Sequence, residues 1–193
     1  MRNLKILMIL VLPLLISGCI VSTSSTSSIP SYVYAIVLDK PISSEKLEFT
    51  DDFISIKFYI ELNGTTLGFE LENKTEKSIR INWDEISMVS PDGRTLRIMH
   101  SGVRFIEKDK PQAPTVVPPK AKLKDVLIPT ENVYYDEGIY MGKFGFVGAG
   151  WKTKKLISNI KEDMSFGLYM PLIIGNETKE YYFSFKIIKI LIE

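Results

Sequence analysis

The chain has 193 residues, 45% of them hydrophobic and 24% charged, which suits one domain whose core needs no disulfide staples. The 24 Lys and Arg residues nearly balance 23 Asp and Glu, for a formal charge of +1, so the balance offers no electrostatic footprint for nucleic acid. A single cysteine excludes an intramolecular disulfide and a thiolate metal cluster, and a single histidine, His100, limits acid–base and metal chemistry.

The chain opens with Arg2 and Lys5, followed by an almost wholly apolar run from Ile6 to Ile16 that only Pro13 interrupts. Ser17, Gly18 and Cys19 close it. A short basic region, an apolar stretch and small residues at the end make a secretory leader. The run is shorter than the roughly 20 residues of a membrane-spanning helix. The ending Leu15-Ile16-Ser17-Gly18-Cys19 resembles the lipobox of bacterial lipoproteins, with Ile16 where that family most often has Leu. The resemblance implies cleavage before Cys19, a diacylglycerol on its thiol and often an acyl chain such as palmitate on the new amino terminus. It also implies a membrane-anchored protein of the cell envelope facing away from the cytoplasm. Ile20 stands where an Asp commonly favours inner-membrane retention in cells with two membranes, so outer-membrane sorting is open in such a cell. Two or more acyl chains anchor stably where one binds marginally. Loss of residues 1–18 leaves 22 basic and 23 acidic residues, a net charge of about −1.

Val21 to Ser28 is a Ser/Thr run that cannot bury apolar area and reads as a flexible tether. The expected organisation is a leader over 1–18, a lipidated cysteine with its tether over 19–31, and a folded domain over 32–193.

From there, short alternating stretches predict strands. Tyr32 to Leu38 and Phe53 to Glu61 come first, followed by the turn signal Asn63-Gly64. Leu67 to Glu72 and Ile79 to Trp83 alternate again, and Ile86 to Val89 runs into the turn Ser90-Pro91-Asp92-Gly93. Leu96 to Ile98, Val103 to Ile106 and Leu123 to Ile128 follow, the last after a proline-bearing loop over 108–114 and Pro118-Pro119. Met164 to Ile174 and Tyr181 to Ile192 complete the set, with a turn at Gly175 to Thr178 between them. Only Lys152 to Lys161 hints at a helix. About nine short strands with turn signals between them predict an all-β sandwich. A strand, a polar turn, a second strand and a later strand behind Pro118-Pro119 resemble the immunoglobulin-like β-sandwich domains of bacterial lipoproteins, over roughly residues 50–190. The paired-cysteine and tryptophan pattern of a true immunoglobulin domain is absent, since the chain has one cysteine.

Chemistry-bearing residues are few. His100 follows Met99, but strand alternation would send the two to opposite faces, which disfavours a soft-metal site and leaves a turn histidine. Asp51-Asp52 and Asp84-Glu85 lack the converging spacing of a calcium loop and read as solvated turn acids. Ser101 precedes a glycine, yet no Gly-x-Ser-x-Gly elbow and no phosphate-cradling glycine loop occurs. Asn63, Asn73 and Asn176 each head an Asn-x-Thr triplet and read as turn chemistry.

The most distinctive stretch is 134–151, where Tyr134, Tyr135, Tyr140, Phe144, Phe146 and Trp151 interleave with five glycines. Glycines give a loop conformational freedom and aromatics give it adhesive area. These six aromatics form a candidate binding surface for a protein, a glycan or a bilayer surface, or else pack on the edge of the sandwich, which is the favoured reading. Lys152-Thr153-Lys154-Lys155 adds a basic patch that either sits near acidic lipid headgroups or faces water, with a solvated patch the expectation. The expectation is a non-enzymatic envelope module without metal or cofactor. It would meet the membrane through Cys19 and dock on an envelope partner. The alternative is a protein that holds a glycan or apolar ligand against residues 134–151.

Overall fold

The computed structural model describes residues 31–61, 64–157 and 160–192. The chain divides into two units, 1–30 and 31–193. The first, with the leader, Cys19 and the tether, lies outside the described residues.

The second unit is nearly all β. Its strands are β1 (Ser31–Lys40), β2 (Glu48–Thr50), β3 (Ile54–Glu61), β4 (Thr66–Asn73), β5 (Ile79–Ile81), β6 (Ser87–Val89) and β7 (Thr95–His100). They continue as β8 (Thr115–Val117), β9 (Lys122–Pro129), β10 (Val133–Asp136), β11 (Ile139–Tyr140), β12 (Phe146–Val147), β13 (Gly150–Thr153), β14 (Ser165–Ile174) and β15 (Glu177–Ile192). One layer runs β1-β15-β14-β6, with β5 also on β14 and β8 on β5. The other runs β9-β4-β3-β2. Strand β7 joins them: Thr95 to Arg97 pair with β6, and Ile98 to His100 pair with β9. All these pairings are antiparallel. The result is a continuous sheet folded on itself into a sandwich.

Period-two alternation explains the layers. Ile54, Ile56 and Phe58 of β3 are buried while Lys57 is exposed. Tyr181, Phe183, Phe185 and Ile187 of β15 point inward, with the exposed Tyr182 between the first two. Across the sandwich the Phe58 ring lies edge-on to Phe183 at 4.9 Å and to Phe185 at 5.1 Å. Burial of each such ring contributes about 2–3 kcal/mol and edge-to-face geometry about 1 kcal/mol more.

Several expectations are corrected. Val103 to Ile106 is not a strand, because the Val103 N–H turns back to the His100 carbonyl at 3.1 Å and Phe105–Glu107 forms a 3-10 turn. Val103 and Phe105 instead cover a second small cluster of Met99, Ile128 and Val133 on the outside of the β7–β9 pair. Among the described residues of 152–161 the helix hinted at does not form: Gly150–Thr153 pairs with β10, since Trp151 and Thr153 are strand formers with a partner waiting. The last strand begins at Glu177 rather than Tyr181, its polar first residues continuing a hairpin turned by Gly175 at φ 62°.

Candidate functional site

The segment 134–151 is not a loose loop. It rises as a two-part β-ribbon from Asn132 and Lys154, whose backbones bond at 2.8 Å. At its base, β10 pairs with β13, placing Tyr134 opposite Lys152 and Tyr135 opposite Trp151. Beyond an unpaired step of two residues on each strand, β11 pairs with β12 in the same register, with Ile139 opposite Val147 and Tyr140 opposite Phe146. The Met141 N–H donates to the Gly145 carbonyl at 2.8 Å and closes the tip. Gly138 lets the two strands approach closely at this step. Its φ is 74°, and a Cβ there would sit 2.4 Å from the Val147 carbonyl oxygen. The glycines of this segment therefore serve a folded turn and a close strand-to-strand approach rather than freedom.

The base has two different faces. Val133 is buried in the second cluster, and on the same face the Trp151 ring lies 5.6 Å from Tyr135 and 6.3 Å from Phe105. The opposite face carries Tyr134 with the Lys154 ammonium 5.5 Å from its ring centre, and the ion pair of Asp136 with Lys152. The Lys152 ammonium holds the Asp136 carboxyl below the usual carboxylate range and is itself raised by it.

The tip has no such division. Tyr140 and Phe146 pair at 5.4 Å on one face, and Ile139 and Val147 take the other by register. Ile139 is 74% exposed, Tyr140 67%, Phe146 61%, Met141 54% and Val147 48%. Of the six expected residues, Tyr134, Tyr135, Tyr140, Phe146 and Trp151 thus share one ribbon and remain partly or largely open. Phe144 lies in the tip turn, and its side chain lies outside the described residues. Sequence reading missed Ile139, Met141 and Val147, which the strand alternation flanking Tyr140 and Phe146 would have shown.

None of the best-formed clefts is lined by the six aromatics. One of about 610 Å³ is lined by residues including Arg94, Leu96, Glu131, Lys154, Leu156, Ile157 and Met164. None of the six aromatics lines it, so the ribbon offers a ledge to a ligand and not that pocket.

Of the two acid pairs, Asp52 and Glu85 are exposed, and Asp51 and Asp84 hold backbone. Asp51 is not a solvated turn acid. It accepts the N–H groups of Phe53 and Ile54, both at 2.8 Å, and the Tyr181 hydroxyl at 2.9 Å, with Lys179 at 3.1 Å. Burial pushes its carboxyl up, but these donors outweigh that and hold it below the usual range. Burial, then Asp51 as acceptor, raises the Tyr181 phenol. Asp84 accepts from Arg97 at 2.8 Å and from the Gln112 N–H at 3.0 Å. His100 is not a turn residue but the end of β7. Its ring stacks on buried Trp83 at 4.2 Å, and its Nδ1 lies 3.1 Å from Asp125. Met99 points the other way into the second cluster, so the two do not share a face. Among the described residues no group of three or more His, Cys, Asp or Glu side chains stands together to hold a metal, and no helix is long and apolar enough to cross a membrane.

Comparisons of the chain with protein-family models, curated proteins and solved structures find no match to any of them.

Proposed function

We propose that this chain is an exported lipoprotein of the cell envelope, cut before Cys19, anchored by lipid on that sulfur, and acting by contact rather than catalysis. One observation carries the reading: the only cysteine of 193 residues stands at the last position of a leader-like segment, behind Leu15-Ile16-Ser17-Gly18. The arrangement of the second unit supports it. A sandwich in which Asp51, Asp84 and Asp125 hold its own backbone displays one ribbon with an open apolar tip, and that ribbon is the contact element.

Membrane fractionation of the expressing cells, combined with protease added from outside, tests this. The protein should sediment with membranes, and external protease should remove the sandwich once any outer membrane is opened. Recovery in the cytoplasmic fraction, protected from protease, would refute the proposal.

A further inference from the structure

We propose that the ribbon tip, residues 139–147, enters the interface of an anionic bilayer, with the lysines of the ribbon against acidic headgroups. The inference rests on the anchored reading of the chain and names what the contact element touches.

The first support is placement. Strand β14 begins at Ser165, opposite Lys186 of β15, while Ser31–Ile36 pairs with Ile187–Ile192 beyond that point. The chain thus enters past one end of β14. The same end holds the β3–β4 turn and the segment after the ribbon. Ile36, Ile60, Gly64, Leu156, Ile157, Ile160 and Phe166 wall one small cavity of about 90 Å³, and the Leu156 N–H donates to the Gly64 carbonyl at 2.8 Å. Lys154, one foot of the ribbon, is two residues from Leu156. The ribbon's feet and the chain's entry therefore share an end of the sandwich. Even fully extended, the 12-residue step from Cys19 to Ser31 spans no more than about 40 Å. A lipid on Cys19 therefore limits how far the start of β1 can stand from the bilayer to that reach.

The second support is that the tip is apolar on both faces. A flat protein surface covers one face of a ribbon and leaves the other wet. A bilayer interface surrounds both, and it is where tyrosine and other amphipathic rings are favoured. The third is charge. Residues 133–155 carry Lys143, Lys152, Lys154 and Lys155 against Asp136 and Glu137, a surplus of two positive charges on a chain that is otherwise near neutral. Basic residues beside apolar ones are the composition of segments that lie in anionic interfaces.

Tryptophan emission offers a direct test, because the two tryptophans differ: Trp83 is fully buried and reports an intact core, while Trp151 sits at the ribbon base. The full-length protein as expressed, and its Met141→Trp variant with a reporter at the exposed tip, are reconstituted in vesicles of phosphatidylcholine and phosphatidylglycerol containing brominated lipid. The tip reporter should be quenched more than Trp151, and more with phosphatidylglycerol than without. Adding Tyr140→Asp and Phe146→Asp to the reporter chain should abolish tip quenching, a fall in tip partitioning on the order of 10- to 100-fold. Trp83 emission should stay unchanged. Mass spectrometry of the same sample reads acyl groups on Cys19 separately. Tip quenching without acyl mass supports the ribbon inference while defeating the anchor. An unquenched tip on vesicles that carry acylated protein overturns the inference, and so does quenching that survives both aspartates. Either result hands the tip to a protein partner.

Discussion

Asn73 heads one of the Asn-x-Thr triplets, and its replacement by alanine should cost more stability than its polar, turn-like setting suggests. The side chain is fully buried. Its Nδ2 donates to the carbonyls of Lys77 at 2.8 Å, Pro118 at 3.0 Å and Val117 at 3.2 Å. Its Oδ1 accepts the N–H and hydroxyl of Thr75 at 2.9 and 2.8 Å. One amide thus ties the end of β4 to the turn behind it and to the start of the β8–β9 connection. Alanine would remove all five of these bonds from a buried site, at about 0.8 kcal/mol each. The sum is about 4 kcal/mol. For a domain of this size that lowers Tm by about 8–16 °C. Urea melts of wild type and Asn73→Ala, followed by circular dichroism, measure it. Asn73→Asp should be at least as damaging, because a carboxylate oxygen would then face three carbonyls. A loss below about 1 kcal/mol for Asn73→Ala would refute the hub. The same geometry forbids attachment of a sugar to Nδ2 in the folded protein.

Phe58→Ala should cost about 3–5 kcal/mol in the same melts, since it removes the ring between Phe183 and Phe185 at the middle of the sandwich. Gly138→Ala should loosen the ribbon alone: limited proteolysis should cut faster between 136 and 150 while the melting midpoint of the sandwich moves little, because the clash is with the Val147 backbone. Asp125 gives a pH signature. Burial raises its carboxyl, but bonds from His100 and from the N–H groups of Ser101 and Val126 outweigh this and hold it below the usual range. Its stabilisation is therefore complete above about pH 4, the unfolded value, and is lost as pH falls through the lower folded value. Asp125→Asn should flatten that part of the acid limb of a stability-versus-pH curve, and an unchanged limb would contradict the assignment.

The alternating strands were legible because period-two burial is local: Ile54 to Ile60 and Tyr181 to Ile187 show it in sequence as plainly as in the sandwich. The aromatic segment was legible as a cluster but not as a ribbon. Its glycines read as freedom, whereas Gly138 is needed for one close backbone approach that only the paired strand defines. Asp51 was hidden for a different reason. Its hydroxyl partner, Tyr181, lies 130 residues away, and no local pattern reveals a pairing that the fold alone creates. The same holds for His100, whose stacking on Trp83 and bond to Asp125 join three elements. Lys152 looked like part of a solvated patch, but cross-strand geometry gives it Asp136.

The claim beneath all of this is the covalent state of one sulfur. Growth with labelled palmitate, followed by capture of the protein from wild-type and Cys19→Ala cells, reads it directly. Label on the wild-type band and none on the variant is the predicted result. An unlabelled wild-type band whose amino-terminal peptide carries a free thiol would contradict it.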